Sequence, residues 1–228
     1  MWPDQTESTV ALVQNTIHRE VRRLIREHIQ YGELELLAAA QSILFLLSIL
    51  LFNDRSHITL TVPESAQLLI DVWEVKRKLA STGLFLDSEM YHQIPPWKSW
   101  ALVSAKRRTI MSLHHIEYSW SSKHNYPTLE CTEFKLLPAP APRYLWCETD
   151  GHTWTQLYKR WLQLWDGDFY RMQELFDGVE SRPLNERGEL WLSEADEFGA
   201  AILSGGINYS AVDHDGPEHT VQHNRIFD

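Results

Sequence analysis

The sequence predicts an all-α protein, an irregular multi-helix bundle with about six main helices and a buried central apolar helix. Two observations lead to this fold class. Apolar residues recur at three-and-four spacing through several long segments, whereas only one short segment, 58–62, alternates like a strand. In addition, residues 36–52 form a charge-free apolar run that suits the centre of a helical bundle. Together these patterns indicate helices packed on helices.

Six helices are predicted from apolar periodicity and from the residues that start and stop helices. Their approximate ranges, in chain order, are 8–30, 33–52, 64–81, 97–119, 153–176 and 194–203. Gly167 is expected to kink or break the fifth helix, because glycine weakens a helix interior. Ser193 is expected to cap the sixth helix, and Gly205-Gly206 to end it. The proline-containing segment 121–143 is expected to be an extended loop.

The apolar segment 36–52 is at the short limit of a membrane-spanning helix. Glu33 and Glu35 precede it, and no basic or aromatic belt stands before it. We therefore predict a core helix that is buried on all sides and no membrane contact. A protein anchored in a membrane through this helix is an alternative, and it requires a chain that is insoluble without detergent.

The composition is that of a globular protein, with 43% hydrophobic and 23% charged residues in 228 positions. We expect a single helical domain over 1–210 and a disordered tail over 211–228, which is polar and rich in histidine. The formal net charge of −10 argues against a chain that coats nucleic acid over its whole surface. The only cysteines, Cys131 and Cys147, form no C-x-x-C pair, so a structural zinc site is not expected.

Several polar groups are candidate sites of chemistry, and none is predicted to be catalytic or to hold a metal or cofactor. His114 and Glu117 lie three residues apart on one helix face, which we predict to be polar and partly exposed rather than part of a zinc site. Asp150 is predicted to cap a helix. The tail contains four further candidate metal ligands: His214, Asp215, His219 and His223. No phosphate-binding loop or nucleophile elbow is present in the sequence.

Two runs of basic residues remain. Arg19, Arg22, Arg23 and Arg26 are predicted to form a solvated face of the first helix, with contact to nucleic acid or to an acidic partner as the alternative. Lys106-Arg107-Arg108 follows Trp97 and Trp100 on the fourth helix. Because arginine binds carboxylates with two bonds and stacks on aromatic rings, we predict internal pairing for Arg107 or Arg108.

Two tryptophan-anchored segments carry a resemblance to a known family. The first reads W-K-S-W-A-L-V-S-A-K-R-R-T over 97–109, and the second runs from L-L-P-A-P-A-P-R-Y-L-W at 136–146 to Trp154. In this order, behind A-A-A-Q-S-I-L-F-L-L, they resemble the regulatory region of fungal transcription factors of the zinc binuclear cluster family. The resemblance covers about 29–177. Ser104 stands where relatives often have a glutamate, which leaves the partner of the arginines open.

The resemblance implies a nuclear regulatory domain that is not an enzyme and works through protein partners or a small-molecule effector. No position matches the family's six-cysteine cluster, so sequence-specific DNA binding by this chain alone is not expected. A structural anchor or effector pocket is expected at six residues: Trp97, Trp100, Arg107, Arg108, Trp146 and Trp154. The alternative is a small-molecule-binding or enzymatic helical protein that uses its tryptophan-rich interior as a pocket.

Overall fold

The computed structural model describes residues 7–52, 60–127, 132–180 and 184–212. These residues form ten α-helices and no strand apart from one isolated bridge, which confirms the all-α prediction. Two compact units are distinguished, Met1–Thr82 with Thr109–Leu129 and Gly83–Arg108 with Glu130–Asp228. The single domain predicted over 1–210 stays a prediction.

The first unit contains helices α1 (Glu7–Glu27), α2 (Glu33–Phe52) and α3 (Val62–Ser81). Each of the three packs against the other two, and a 3₁₀ turn at His28–Gln30 extends α1. Thr61 and Glu64 form a capping box that starts α3. All three helices agree with the prediction. The strand-like segment 58–62 does not, since Val62 already belongs to α3, and residues 58 and 59 lie outside the described part.

Helix α2 is buried on one face and exposed on the other. Leu36, Ile43 and Leu47 are fully buried, whereas Leu34 is 68% and Phe45 67% exposed. The prediction of burial on all sides is therefore wrong for the outer face, because α1 and α3 cover only the opposite side. Among the described helices, α2 is the one that is long and apolar enough to cross a membrane, by length and composition alone. Core helices and signal sequences meet the same criterion.

The long helix α5 (Trp97–His124) contributes residues 109–124 to the first unit and 97–108 to the second. It is five residues longer than the predicted 97–119, so the expected loop over 121–143 is wrong at its start. The buried side chains of Trp120 and Ser121 continue its inward face. Asn125 then takes the left-handed conformation that commonly ends a helix. Within the same expected loop, Thr132–Leu136 forms a 3₁₀ helix.

The second unit contains the first part of α5 and six further helices of the described chain. They are α4 (Asp87–Met90), α6 (Arg143–Trp146), α7 (Gly151–Leu162), α8 (Met172–Glu180), α9 (Glu186–Glu194) and α10 (Glu197–Val212). Pro138 and Arg171 form the isolated antiparallel bridge, flanked by hydrogen bonds from Ala139 N to Tyr170 O and from Met172 N to Leu137 O. This bridge ties the proline-rich segment to the start of α8.

The later helices agree with the prediction at one point and differ from it at three. The break near Gly167 is confirmed, and this glycine has a positive φ of 84° between α7 and α8. Helix α9 was not predicted. Helix α10 begins three residues later than expected, because Asp196, rather than Ser193, accepts a hydrogen bond from its first turn at Gly199 N. It also continues through Gly205-Gly206 to Val212, so the predicted end is wrong, and residues 211 and 212 of the predicted disordered tail are helical. Residues 213–228, with the four candidate metal ligands of the tail, lie outside the described part.

Candidate functional site

All six residues singled out from the sequence belong to the second unit. Trp97 and Trp100 lie in the first turn of α5, and Arg107 and Arg108 lie two to three turns later. Trp146 ends the short helix α6, and Trp154 lies in the first turn of α7. Asp150 caps α7 as predicted, because its Oδ1 accepts a hydrogen bond of 2.8 Å from Thr153 N.

The tryptophans at the start of α5 pack against α7. The rings of Trp100 and Trp154 lie 5.1 Å apart between centroids, and Trp154 lies 4.6 Å from Tyr158. Trp97 lies across the start of α7 so closely that a Cβ atom on Gly151 would be 2.9 Å from its Cε3. A glycine at this position therefore allows α5 to approach α7. Trp100, Trp154 and Tyr158 thus form one packed cluster, and Trp97 lies against the start of α7 beside it.

The aromatic contacts continue beyond this cluster as a row of seven rings. Adjacent centroids along the row are 4.6 to 6.1 Å apart. In order, its members are Trp100, Trp154, Tyr158, Trp161, Trp165, Tyr170 and Trp191. All seven are buried, and such contacts between rings add stability beyond the buried area. The row forms the aromatic core of the second unit.

Arg107 is buried and makes three hydrogen bonds. Its Nε donates to Leu84 O at 2.7 Å, and its Nη1 and Nη2 donate to the two carboxylate oxygens of Glu89. This is the two-bond geometry in which a planar guanidinium matches a carboxylate. Glu89 belongs to α4 and is also buried. The carboxylate thus comes from another helix, and Ser104 on α5 is itself buried.

Arg108 is held by four groups. Its Nη2 donates to Asp196 Oδ2 at 2.7 Å and to Ala141 O at 3.2 Å. Its guanidinium carbon lies 4.6 Å from the ring centroid of Trp146 and 4.7 Å from that of Phe198. Arg108 therefore connects α5, α6 and the start of α10. Trp146 thus packs on Arg108, whereas Trp100 and Trp154 pack on each other.

The third cation of the run also points inward. Lys106 is 1% exposed and donates from Nζ to Gly83 O at 2.9 Å. Internal pairing, which was predicted for Arg107 or Arg108, is confirmed for both arginines, since each has a buried carboxylate partner. As a result, Lys106-Arg107-Arg108 fastens α5 into the second unit and does not form a solvated basic surface.

Burial raises the pKa of Tyr158 well above its usual range, and the nearby Glu89 carboxylate raises it further, although the Arg107 guanidinium acts in the opposite direction. Burial likewise raises the pKa of Tyr170 to about 12. Both phenols therefore stay protonated at neutral pH. As neutral groups they can donate a hydrogen bond, but they are poor bases and nucleophiles.

Sequence reasoning missed the partners of the arginines. Glu89 and Asp196 lie 18 and 88 residues from Arg107 and Arg108, so no local spacing could identify them. It also missed His92, which has a positive φ of 53° and whose Nε2 lies 3.2 Å from Leu162 O. A non-glycine residue in this conformation is strained and must be held by its surroundings.

The first unit holds a second buried ionic group. Lys76 of α3 forms an ion pair with Glu117 of α5, and His114 Nδ1 lies 3.9 Å from the same carboxylate oxygen. His114 and Glu117 are only 6% and 7% exposed, so the predicted partly exposed polar face is wrong. The pairing with Lys76 makes burial of Glu117 tolerable. Among the described residues, no group of three or more His, Cys, Asp or Glu side chains could hold a metal ion.

Comparisons with protein-family models, with curated proteins and with solved structures gave no match to this chain.

Proposed function

We propose that this chain is a regulatory, protein-interaction domain related to the regulatory region of zinc binuclear cluster transcription factors, and that it is not an enzyme. It acts in the nucleus through protein partners, with a small-molecule effector as a further possibility, and it does not recognise a DNA sequence by itself. One observation carries the proposal. The tryptophan-arginine motif on which the resemblance rests is an internal anchor, in which Arg107 and Arg108 hold Glu89 and Asp196.

This anchoring supports the proposal because it gives the residues of the motif a structural role and requires no catalytic one. The guanidiniums have carboxylate partners, the indole rings pack on one another, and the nearby phenols stay protonated. The net charge of −10 adds support, since it opposes contact with phosphate backbones over a wide surface.

A reporter assay tests the regulatory role. The full chain is fused to a heterologous DNA-binding domain, and transcription from the cognate site is measured in a fungal cell. A regulatory domain should raise or lower the output relative to the DNA-binding domain alone. An unchanged output from a fusion that is expressed and folded would contradict the proposal. So would tight binding of the purified chain to a defined DNA duplex with little dependence on salt, because phosphate contacts alone are salt-sensitive.

A second candidate function, binding of a small molecule among the tryptophans, is favoured by one observation. The indole N–H of Trp154 is buried and has no hydrogen-bond acceptor among the described residues. A ligand with a hydrogen-bond acceptor could satisfy it. A thermal-shift screen of small carbonyl and carboxylate compounds tests this candidate, with Trp154→Phe as the variant that should lose any shift. If no compound shifts the melting temperature of the wild-type chain, the ligand-binding candidate is wrong and only the protein-interaction role remains proposed.

A further inference from the structure

A groove of about 670 Å³ lies between α1 and α2 in the first unit. On its α2 side, four of the lining residues stand at positions i, i+3, i+4 and i+7 of the helix, and they are Ala38, Gln41, Ser42 and Phe45. Residues at these spacings are neighbours on a helix surface, and four such neighbours form the hole that receives one side chain of a facing helix. The groove therefore offers a binding position for a side chain from another helix.

The same face of α2 also carries a projecting side chain. Phe45 is 67% exposed although it is large and apolar. It belongs to a stripe of six exposed positions at alternating intervals of four and three residues, which are Leu34, Ala38, Gln41, Phe45, Ser48 and Phe52. With this spacing one helix presents a continuous seam to another helix. The outer face of α2 thus combines an exposed aromatic side chain with a hole of the kind that receives one.

The charges in the groove favour an uncharged occupant. The charged residues of its lining are Glu20 and Arg23, which pair with each other at 2.6 Å. Neither side chain is left without a partner, and a further charge brought into the groove would be buried at a cost. Helix α2 has no charged side chain from 36 to 52. The outer face of α2 in a second copy of the chain therefore meets the requirement.

We propose that the outer face of α2 joins two copies of this chain into a symmetric dimer, with the two α2 helices antiparallel. A twofold interface uses the same patch on both chains, so the projecting side chain and its hole must lie on one face, as they do here. Phe45 of each copy enters the hole formed by Ala38, Gln41 and Ser42 of the other copy. The inference goes beyond the proposed regulatory function and does not depend on it.

The hole and the stripe lead to the same register. The hole is centred near Gln41, so Phe45 of one copy lies over Gln41 of the other. In an antiparallel pair this register makes the two stripes overlap along their full length, because Leu34 of one copy then faces Phe52 of the other. Leu34 is 68% and Phe52 36% exposed, so the ends of the stripe supply further apolar contact.

The acidic residues at the start of α2 determine the orientation. Glu33 and Glu35 are exposed, and a parallel pair would place them beside the same residues of the second copy. Helix α2 has 20 residues, which corresponds to a length of about 30 Å. An antiparallel pair therefore keeps the two acidic ends farther apart than the Debye length of about 10 Å at 0.1 M salt. It also aligns the two helix dipoles favourably.

Analytical ultracentrifugation of the full chain tests the dimer. In a concentration series from about 1 to 100 μM, the mass should rise from that of one chain toward twice that value. Phe45→Glu and Leu34→Glu should each raise the dissociation constant about tenfold or more, because each places a charge in an apolar contact. A chain that is monomeric throughout the series, or a dimer that both variants leave intact, would overturn the proposal.

Ile70→Glu on the exposed side of α3 is the matched control. It introduces the same charge outside the proposed interface, so it should change the dissociation constant by less than about twofold. Circular dichroism checks that all three variants keep the helical fold, which is expected because the substituted side chains are exposed. A control that dissociates the dimer as strongly as Phe45→Glu would refute the assignment of the surface.

Disulfide trapping tests the orientation. In the background Cys131→Ser/Cys147→Ser, chains with Ala38→Cys are mixed with chains that carry Ser48→Cys. The antiparallel register places position 38 of one copy opposite position 48 of the other, so the mixture should cross-link much faster than either variant alone. Faster cross-linking of one variant with itself would contradict the antiparallel arrangement.

Two further results bear on the proposal. A monomeric chain that sediments with phosphatidylcholine vesicles, and loses this property in Phe45→Glu, would replace the second copy with a membrane. The reporter assay keeps the dimer and the regulatory role distinguishable. A dimeric chain whose fusion leaves transcription unchanged supports the interface and contradicts only the regulatory role, whereas a monomeric chain whose fusion regulates transcription contradicts only the interface.

Discussion

Arg107 and Glu89 form a buried ion pair with two hydrogen bonds that joins α5 to α4, across 18 residues of sequence. The guanidinium also donates from Nε to Leu84 O, so each of its three nitrogens makes a hydrogen bond. Taking both charges out of water is costly, and only this complete set of bonds offsets that cost. The pair therefore fixes where α4 lies in the second unit, and the loss of either partner leaves a buried charge uncompensated.

We predict that Arg107→Met lowers the free energy of unfolding by about 3–5 kcal/mol, because it leaves the Glu89 carboxylate buried without a partner. The double variant Arg107→Met/Glu89→Met should recover most of that loss, since neither charge remains. Urea unfolding followed by tryptophan fluorescence measures both values. A double variant no more stable than the single one would show that the pair is not the main role of Arg107.

The exposed pair Arg143 and Glu197 is the matched control for this prediction. Their side chains are 67% and 78% exposed, and the bond is 2.6 Å long. Arg143→Met should change stability by no more than about 1 kcal/mol, because solvent screens an exposed pair. A loss as large as that of Arg107→Met would contradict the assignment of the difference to burial.

Two tryptophans of the aromatic row differ in one respect, and this gives a second prediction. Trp191 donates from Nε1 to Pro140 O at 3.0 Å, whereas the buried Nε1 of Trp165 has no acceptor in the described part of the chain. Trp191→Phe removes a bond and leaves a buried carbonyl unpaired. Trp165→Phe removes an unpaired donor. The first change should cost about 1–2 kcal/mol more than the second in thermal or urea unfolding. Equal costs would refute the reasoning.

The difference between what sequence could and could not predict follows from the range of the interactions. Three-and-four spacing identified α1 and α3, the charge-free apolar run identified α2, and the positive φ of Gly167 agrees with the predicted break. The anchoring role of Arg107 followed from its chemistry, but its partner Glu89 could not be found, because spacing carries no information on contacts between helices. The exposed face of α2 was missed for the same reason, since an apolar stripe does not reveal which neighbours cover it.

A third prediction concerns Lys76, which lies 4% exposed beside Glu117 and 4.5 Å from the ring of Trp73. Lys76→Met keeps the apolar stem but leaves the Glu117 carboxylate buried alone. We expect a loss of about 3–5 kcal/mol in the free energy of unfolding. The double variant Lys76→Met/Glu117→Gln carries neither charge, so it should recover most of the lost free energy of unfolding. If the single variant is as stable as the wild type, the pair contributes nothing to the first unit.

The fourth prediction concerns pH and arises from His114. Burial, with smaller contributions from the cationic Lys76 and then from His115, lowers the pKa of His114 to about 3. The unfolded chain binds a proton at this histidine below about pH 6.5, whereas the folded chain does not until about pH 3. The contribution of His114 to the free energy of unfolding is therefore fully present above about pH 6.5. Below that pH it falls by up to about 1.4 kcal/mol per pH unit.

The measurement is urea unfolding of the wild type and of His114→Gln between about pH 7.5 and pH 5. The variant should lose less stability on acidification, because it cannot take up the proton when it unfolds. His115→Gln is the comparison. Burial lowers the pKa of the half-buried His115 as well, yet its imidazole keeps part of its contact with water, so this variant should flatten the slope less. Identical slopes in the wild type and His114→Gln would mean that the buried histidine is not what makes the first unit acid-sensitive.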